Sequence, residues 1–239
     1  MQHNYTILEG EIIMARKIEV VDYNPEWEKQ FKEEAKKIKA ILGKNCVEIH
    51  HIGSTSVKGL KAKPVIDIMP VVKDISLVDG QNAQFEALGY ECMGEFGIPG
   101  RRFYRKGGDN RTHHIHIFQK DNTAQIQRHL AVRDYLRSNK EKAEEYADLK
   151  TRLAEEFTYD NDGYCEEKDA FMKELEQEAL AWQEKQNHIG TCMSLGMCFG
   201  VAMGSAFGAT FGNMSLGMCY GIGIGMCLGL VVGYAKTKK

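Results

Sequence analysis

His51-Ile-Gly-Ser-Thr-Ser-Val57, followed by Lys63-Pro-Val-Ile-Asp-Ile-Met-Pro-Val-Val72, is the stretch on which the fold turns. Leading into it, Val47, Ile49 and His51 alternate with Glu48 and His50, the period of two that a half-buried strand requires. The apolar run 64–72 suits a fully buried strand. Two adjacent central strands, joined through a small-residue loop at Gly53, are expected. A later strand is expected in Arg111-Thr-His-His-Ile-His-Ile-Phe118, where alternation puts His114 and His116 on one face and Ile115 and Ile117 on the other. His50 and His113 should point away from the His51, His114 and His116 face.

Outward from this centre, Asn24-Pro25-Glu26 supplies a cap residue, a proline for the first helical position and an acid for the positive helix end. Trp27, Phe31, Ala35, Ile38 and Leu42 then recur at helical spacing, predicting a helix that stops near Gly43. Residues 78–88 suit a short helix, and Tyr90–Met93 and Arg102–Lys106 suit strands, the second closed by a turn at Gly107-Gly108-Asp109-Asn110. From Asn122 to Lys185 the pattern is helical, with Leu130, Tyr135, Leu136, Tyr146, Leu149, Leu153, Phe157, Phe171, Leu175 and Leu180 as core candidates. The expected domain is α/β in its first half and helical in its second.

Composition divides the 239 residues into unlike parts. No Asp, Glu, Lys or Arg occurs from Gln186 to Ala235, and those 50 residues hold 12 of the 24 glycines. Residues 1–185 carry 28 Lys+Arg against 33 Asp+Glu, enough chain for one domain with a sizeable core. Nothing there is clustered and basic enough for nucleic acid. Residues 1–13 lack a basic, apolar leader and precede a second methionine, Met14, so they read as an extension outside the fold. Cys46, Cys92 and Cys165 are scattered and form no CxxC, which favours reduced thiols in a cytoplasmic setting.

The chemistry-bearing residues gather around the opening stretch. Gly53 lets a phosphate approach the backbone, Ser54 and Thr55 offer hydroxyls, Lys63 offers charge, and Asp67 could hold a divalent cation against that phosphate. The bland alternatives are a tight turn for Gly53 and Ser54, a salt bridge for Asp67 and a satisfied polar strand face for the histidines.

The segments His51-Ile-Gly-Ser-Thr-Ser-Val57, Gly59-Leu60 and Ala62-Lys-Pro-Val-Ile-Asp-Ile68 resemble the GrpB-like family, as do the later His-x-His and Arg133-Asp-Tyr-Leu136 with Tyr146 and Leu149-Lys150. The resemblance runs from about Ile18 to about Trp182. It implies a nucleotidyltransferase-like mixed sheet with flanking helices, spanning 14–185. It implies a nucleotide site with His51, Gly53, Ser54, Thr55, Lys63, Arg133 and Lys150 on the phosphates, Asp67, His114 and His116 in the catalytic positions, and Mg²⁺ or another divalent metal on Asp67. Arg133 and Lys150 enter on the resemblance alone. One departure is plain: the superfamily places two strand acids two residues apart, and Met69 stands at the second position. The chain is thus expected to bind a nucleotide, with nucleotidyl transfer as the implied activity. The rival is a non-catalytic accessory module that steadies a partner protein, as a similar domain is thought to do for dephospho-CoA kinase.

In the remainder, 186–239, glycine recurs every fourth residue from 196 to 212 and from 217 to 233, and Ser194-Leu-Gly-Met-Cys-Phe-Gly200 returns as Ser215-Leu-Gly-Met-Cys-Tyr-Gly221. A helix of about 20 residues spans about 30 Å, the thickness of a bilayer core. Each run therefore reads as one limb of a transmembrane hairpin over 192–234, two antiparallel helices packed on facing glycine stripes. Lys185, Lys236, Lys238 and Lys239 put both ends, and the soluble domain, on the cytoplasmic side. A soluble glycine-rich packing element is the alternative.

Overall fold

The structure, a computed structural model, describes residues 5–8, 11–14 and 17–236. It divides into two compact units, the first ending at Ala179 and the second beginning at Leu180. Tyr5–Leu8 (β1) and Glu11–Met14 (β2) pair antiparallel as a separate two-stranded sheet. The expected extension over 1–13 lies partly outside the described residues.

The first unit is built on a five-stranded mixed sheet of Cys46–Ile52 (β3), Ile66–Val72 (β4), Tyr90–Cys92 (β5), Arg101–Lys106 (β6) and His113–Gln119 (β7), in the order β3-β4-β7-β6-β5. The pair β4 and β7 is parallel and the others antiparallel. The two strands flanking the Gly53 loop are neighbours as expected, but β3 is an edge strand, not a central one. Its bulge between Cys46 and Glu48 leaves Val47 45% exposed, so the alternation read across Val47 does not extend to it.

Glu26–Leu42 forms α1, with the Asn24 side chain accepting from the Glu26 N–H at 3.0 Å. Its Trp27, Ile38 and Leu42 pack on the sheet face that carries Ile66, Ile68, Ile115 and Ile117. Two short helices, Ser76–Asp79 (α2) and Asn82–Ala87 (α3), replace the single helix expected over 78–88 and add Val78 and Phe85 to this core. Burying such fully enclosed aliphatic side chains contributes about 1.5–3 kcal/mol each. The other face, with Ile52, Met69 and Phe118, receives Ile126 and Leu130 of Thr123–Ser138 (α4). Lys140–Glu156 (α5) and the start of Asn161–Thr210 (α6) complete the helical half around Leu136, Tyr146 and Leu175. Of the expected core residues, Leu180 is instead exposed.

In the second unit α6 continues to Thr210 and Met214–Lys236 forms α7, both long and apolar enough to cross a membrane. They run antiparallel with glycine against glycine. A Cβ on Gly200 would strike the backbone of Gly221, one on Gly196 that of Gly225, and one on Gly204 that of Gly217. The outer surface of the pair is apolar, with Leu195, Phe199, Met203, Phe207, Leu216, Tyr220, Ile224 and Leu228 all exposed.

Candidate functional site

The site forms where β4 and β7 run side by side. Register sets Asp67 opposite His114, and alternation brings His116 to the same face, towards α4. His114 Nδ1 lies 3.2 Å from Asp67 Oδ1 and His116 Nε2 lies 3.6 Å from it. Burial alone would raise the Asp67 carboxyl, but the contacts with His114 and His116 outweigh it and hold the acid well below the usual carboxylate range. Burial holds His116 below the usual imidazole value despite Asp67, and takes His129 of α4 down to about 4. Burial thus disfavours the charged form of both rings.

Gly53 links this cluster to the loop. The chain leaves β3 with Gly53 at φ +68, a conformation L side chains rarely adopt, and a Cβ there would run into the Asp67 carboxylate. Ser54 follows as the first residue of a single 3₁₀ turn. It lines a cavity of about 280 Å³ with Arg128, His129, Arg133, Tyr146 and Met172. Asp67 and His116 do not line this space; they lie next to residues that do, Asp67 against Gly53 and His116 beside His129, with ring centroids 5.7 Å apart.

The other expected ligand residues divide. Lys150 is buried, with Nζ donating to Ser54 Oγ at 2.9 Å and to the Lys61 carbonyl at 2.5 Å. Arg133 lines the cavity, pairs with Asp134 and donates to the His51 carbonyl at 3.3 Å. Thr55 is buried, its hydroxyl donating to the Val65 carbonyl and meeting His51 Nε2, so it ties the loop together. Lys63 Nζ sits 3.6 Å over the Tyr164 ring. His51 requires a correction: it pairs with Ile68, so its side chain lies on the sheet face opposite Asp67, stacked on Phe31 with centroids 4.7 Å apart. His50, opposite Met69, takes the Asp67 face instead and meets Glu48. Alternation shows which residues share a face, whereas register decides which face meets the neighbouring strand's acid.

Three residues of the site were not singled out from sequence. Arg101, at the start of β6, is 6% exposed and sets NH1 3.3 Å from His116 Nδ1, with its other nitrogens donating to the Glu95 and Phe96 carbonyls. His129 and Arg128 come from α4, and the Arg128 Nε is buried with no hydrogen-bond partner in the described structure. The spacing of His129 and Arg133, one helical turn apart, was the available signal.

Asp67, His114 and His116 each offer one ligand atom within 4.8 Å of the others. One carboxylate and two imidazoles suit a transition cation and are poor for Mg²⁺. Met69, at the position of the missing acid, is fully buried against Ile52 and Phe118 and adds no ligand. Arg101 donates to His116 Nδ1, which sets the ring proton on Nε2, so a cation at Nε2 competes with that contact.

A family model described as GrpB protein matches residues 17–178. The UPF0157 protein YqkA of Bacillus subtilis is 42% identical over 173 residues, which are 72% of this chain and 50% of that protein, so the chain spans half the length of this relative. The glutamate-rich protein GrpB of Alkalihalophilus pseudofirmus is 30% identical over 171 residues, 70% of this chain and 94% of that protein. The crystal structure of a conserved GrpB protein from Enterococcus faecalis superposes with a TM-score of 0.66 at 52% identity, covering 68% of this chain and 97% of the other.

Proposed function

The chain belongs to the GrpB family, and from that premise we propose that its first unit binds a nucleotide by its phosphates while its second unit anchors it in a membrane. The observation that carries the ligand reading is the shared cavity of Ser54, Arg128 and Arg133, with the Asp67 cluster directly behind Gly53. Arg128, paired to Glu176 through one terminal nitrogen with its Nε unpartnered among the described residues, and Arg133, paired to Asp134, bring positive charge to the cavity for phosphate oxygens. Asp67, His114 and His116 are the residues that would hold a transition cation, which when bound would supply Lewis-acid stabilisation of phosphate charge. Nucleotidyl transfer is the activity that the resemblance to nucleotidyltransferases implies. Burial of Met69 where a second acid would stand favours the rival, an accessory module that binds without catalysis.

Membrane anchoring draws on the outward-facing Phe199, Phe207, Tyr220 and Leu228, because so continuous an apolar surface is costly in water. Close approach on the glycine stripes provides helix packing where lipid removes any hydrophobic drive between helices.

Thermal unfolding of the detergent-solubilised chain, titrated with nucleoside triphosphates alone and with Mn²⁺, Zn²⁺ or Mg²⁺, tests the ligand reading. A nucleotide-dependent rise, larger with Mn²⁺ or Zn²⁺ than with Mg²⁺, is expected. No rise under any metal would leave the accessory role standing in its place. Recovery of the full chain as a soluble monomer would refute the anchor.

A further inference from the structure

Lys150 does not sit as a phosphate ligand should. Its Nζ points into the loop, onto Ser54 Oγ and the Lys61 carbonyl, 4.2 Å above the Tyr146 ring, and the side chain is 3% exposed. No carboxylate pairs with it among the described residues; Lys168 and Tyr146 are the titratable side chains set against it. Burial first, and then the Lys168 charge, bring the amine down to about 7. Near neutrality a large share of it carries a lone pair, and the 2.9 Å contact then runs the other way, with the Ser54 hydroxyl donating to Nζ.

Ser54 is placed to use that base. It follows the left-handed Gly53 at the end of a strand, on a sharp turn that lines the cavity, with its hydroxyl against Lys150 Nζ. Arg128, His129, Arg133 and Lys173 line the same space with Asp169 and Glu176; Arg128 pairs with Glu176 at 3.3 Å, and its buried Nε has no partner among the described residues. A hydroxyl with an amine behind it and guanidinium donors in front suits an anionic electrophile.

We propose that Ser54 is a nucleophile and Lys150 its general base, and that the pair attacks the phosphorus of a phosphoric ester or anhydride held in this cavity. The Ser54 Oγ lone pair forms the new bond to phosphorus while the hydroxyl proton passes to the Lys150 Nζ lone pair. The bond from phosphorus to the leaving oxygen breaks with its electron pair, and the Lys150 ammonium returns the proton to that oxygen. The product is a serine phosphoester on the protein. The choice of phosphorus as electrophile rests on the phosphate-binding reading above, while the nucleophile and base do not.

The test is covalent labelling of the full chain, in detergent, by an alkyl fluorophosphonate between pH 5.5 and 9, read by intact mass and peptide sequencing. With this probe the Oγ–P bond forms, the P–F bond breaks and fluoride leaves. One adduct on Ser54 is expected, its rate rising with pH through a midpoint near 7 to a plateau. It should be absent in Ser54→Ala and slower by about 10²-fold or more in Lys150→Met. Lys150→Arg keeps the charge but cannot accept the proton at these pH values, so it should be as slow as Lys150→Met. Lys168→Met removes a repelling charge and should move the midpoint to higher pH. No Ser54 adduct in folded wild type at any pH, or equal labelling in folded Lys150→Arg, overturns the proposal. Labelling without a nucleotide-induced thermal shift supports the dyad while the phosphate reading fails; a shift without labelling overturns the dyad alone.

Discussion

Asp67→Asn removes one charge and keeps the side-chain shape, which separates a ligand role from a structural one. In the structure only the 3.2 Å contact to His114 is within hydrogen-bond range, the 3.6 Å contact to His116 being longer. A hydrogen bond to a charged group is worth about 1.5–3 kcal/mol, and the asparagine oxygen recovers a neutral bond of about 0.5–1.5 kcal/mol. The net stability cost is therefore about 1–2 kcal/mol, or roughly 2–8 °C in Tm for a domain of this size. The carboxyl is held below its ordinary value, so its contribution is present above the unfolded pKa and is lost only as pH falls through the lower, folded one. The difference in Tm between wild type and variant should accordingly persist from pH 8 to pH 5. At a nucleotide concentration near 100 times Kd, binding stabilises wild type by about 2.7 kcal/mol. The cation-dependent part of that gain should vanish in the variant. Thermal unfolding followed by the fluorescence of buried Trp27, with and without nucleotide and Mn²⁺, measures both effects. A fall in Tm well above 8 °C with the cation-dependent gain intact would refute the reasoning and make Asp67 a structural acid.

Glu34, buried beneath Lys37, Lys106 and the Tyr90 hydroxyl, has a pKa that burial would raise but that hydrogen bonds from Lys106 and Lys37 bring down to about 2. Its contribution, about 3 kcal/mol at most, should be complete above pH 4.5 and fade toward pH 2; acid unfolding of Glu34→Gln should lack this component. Gly53→Ala should lower stability by about 1–3 kcal/mol in chemical denaturation, because the left-handed backbone is strained and the new Cβ meets the Asp67 carboxylate. Gly200→Leu should lower the temperature at which helicity is lost in detergent, since its side chain falls on the Gly221 backbone, whereas Gly223→Leu, at a position open to the surroundings, should not.

Much of the architecture was legible in the chain. The alternation around His114 and His116, the cap at Asn24 and the glycine interval from 196 to 233 each state a local geometry, because period and capping depend on neighbours within a few residues. So does Gly53, whose missing Cβ both permits a left-handed backbone and leaves room for Asp67. What the chain could not state was which strand meets which, and in what register. His51 reads by alternation as sharing a face with His114 and His116, yet pairing it with Ile68 turns its ring to the other face, against Phe31. Arg101 reaches His116 because β6 lies beside β7, and Arg128 and His129 reach the cavity because α4 packs on that sheet face. Lys150 and Ser54 are 96 residues apart, and their 2.9 Å contact exists only because α5 closes over the loop. Burial, which turns that lysine from a surface charge into an amine titrating near 7, is a property of the packed domain and not of any segment of it.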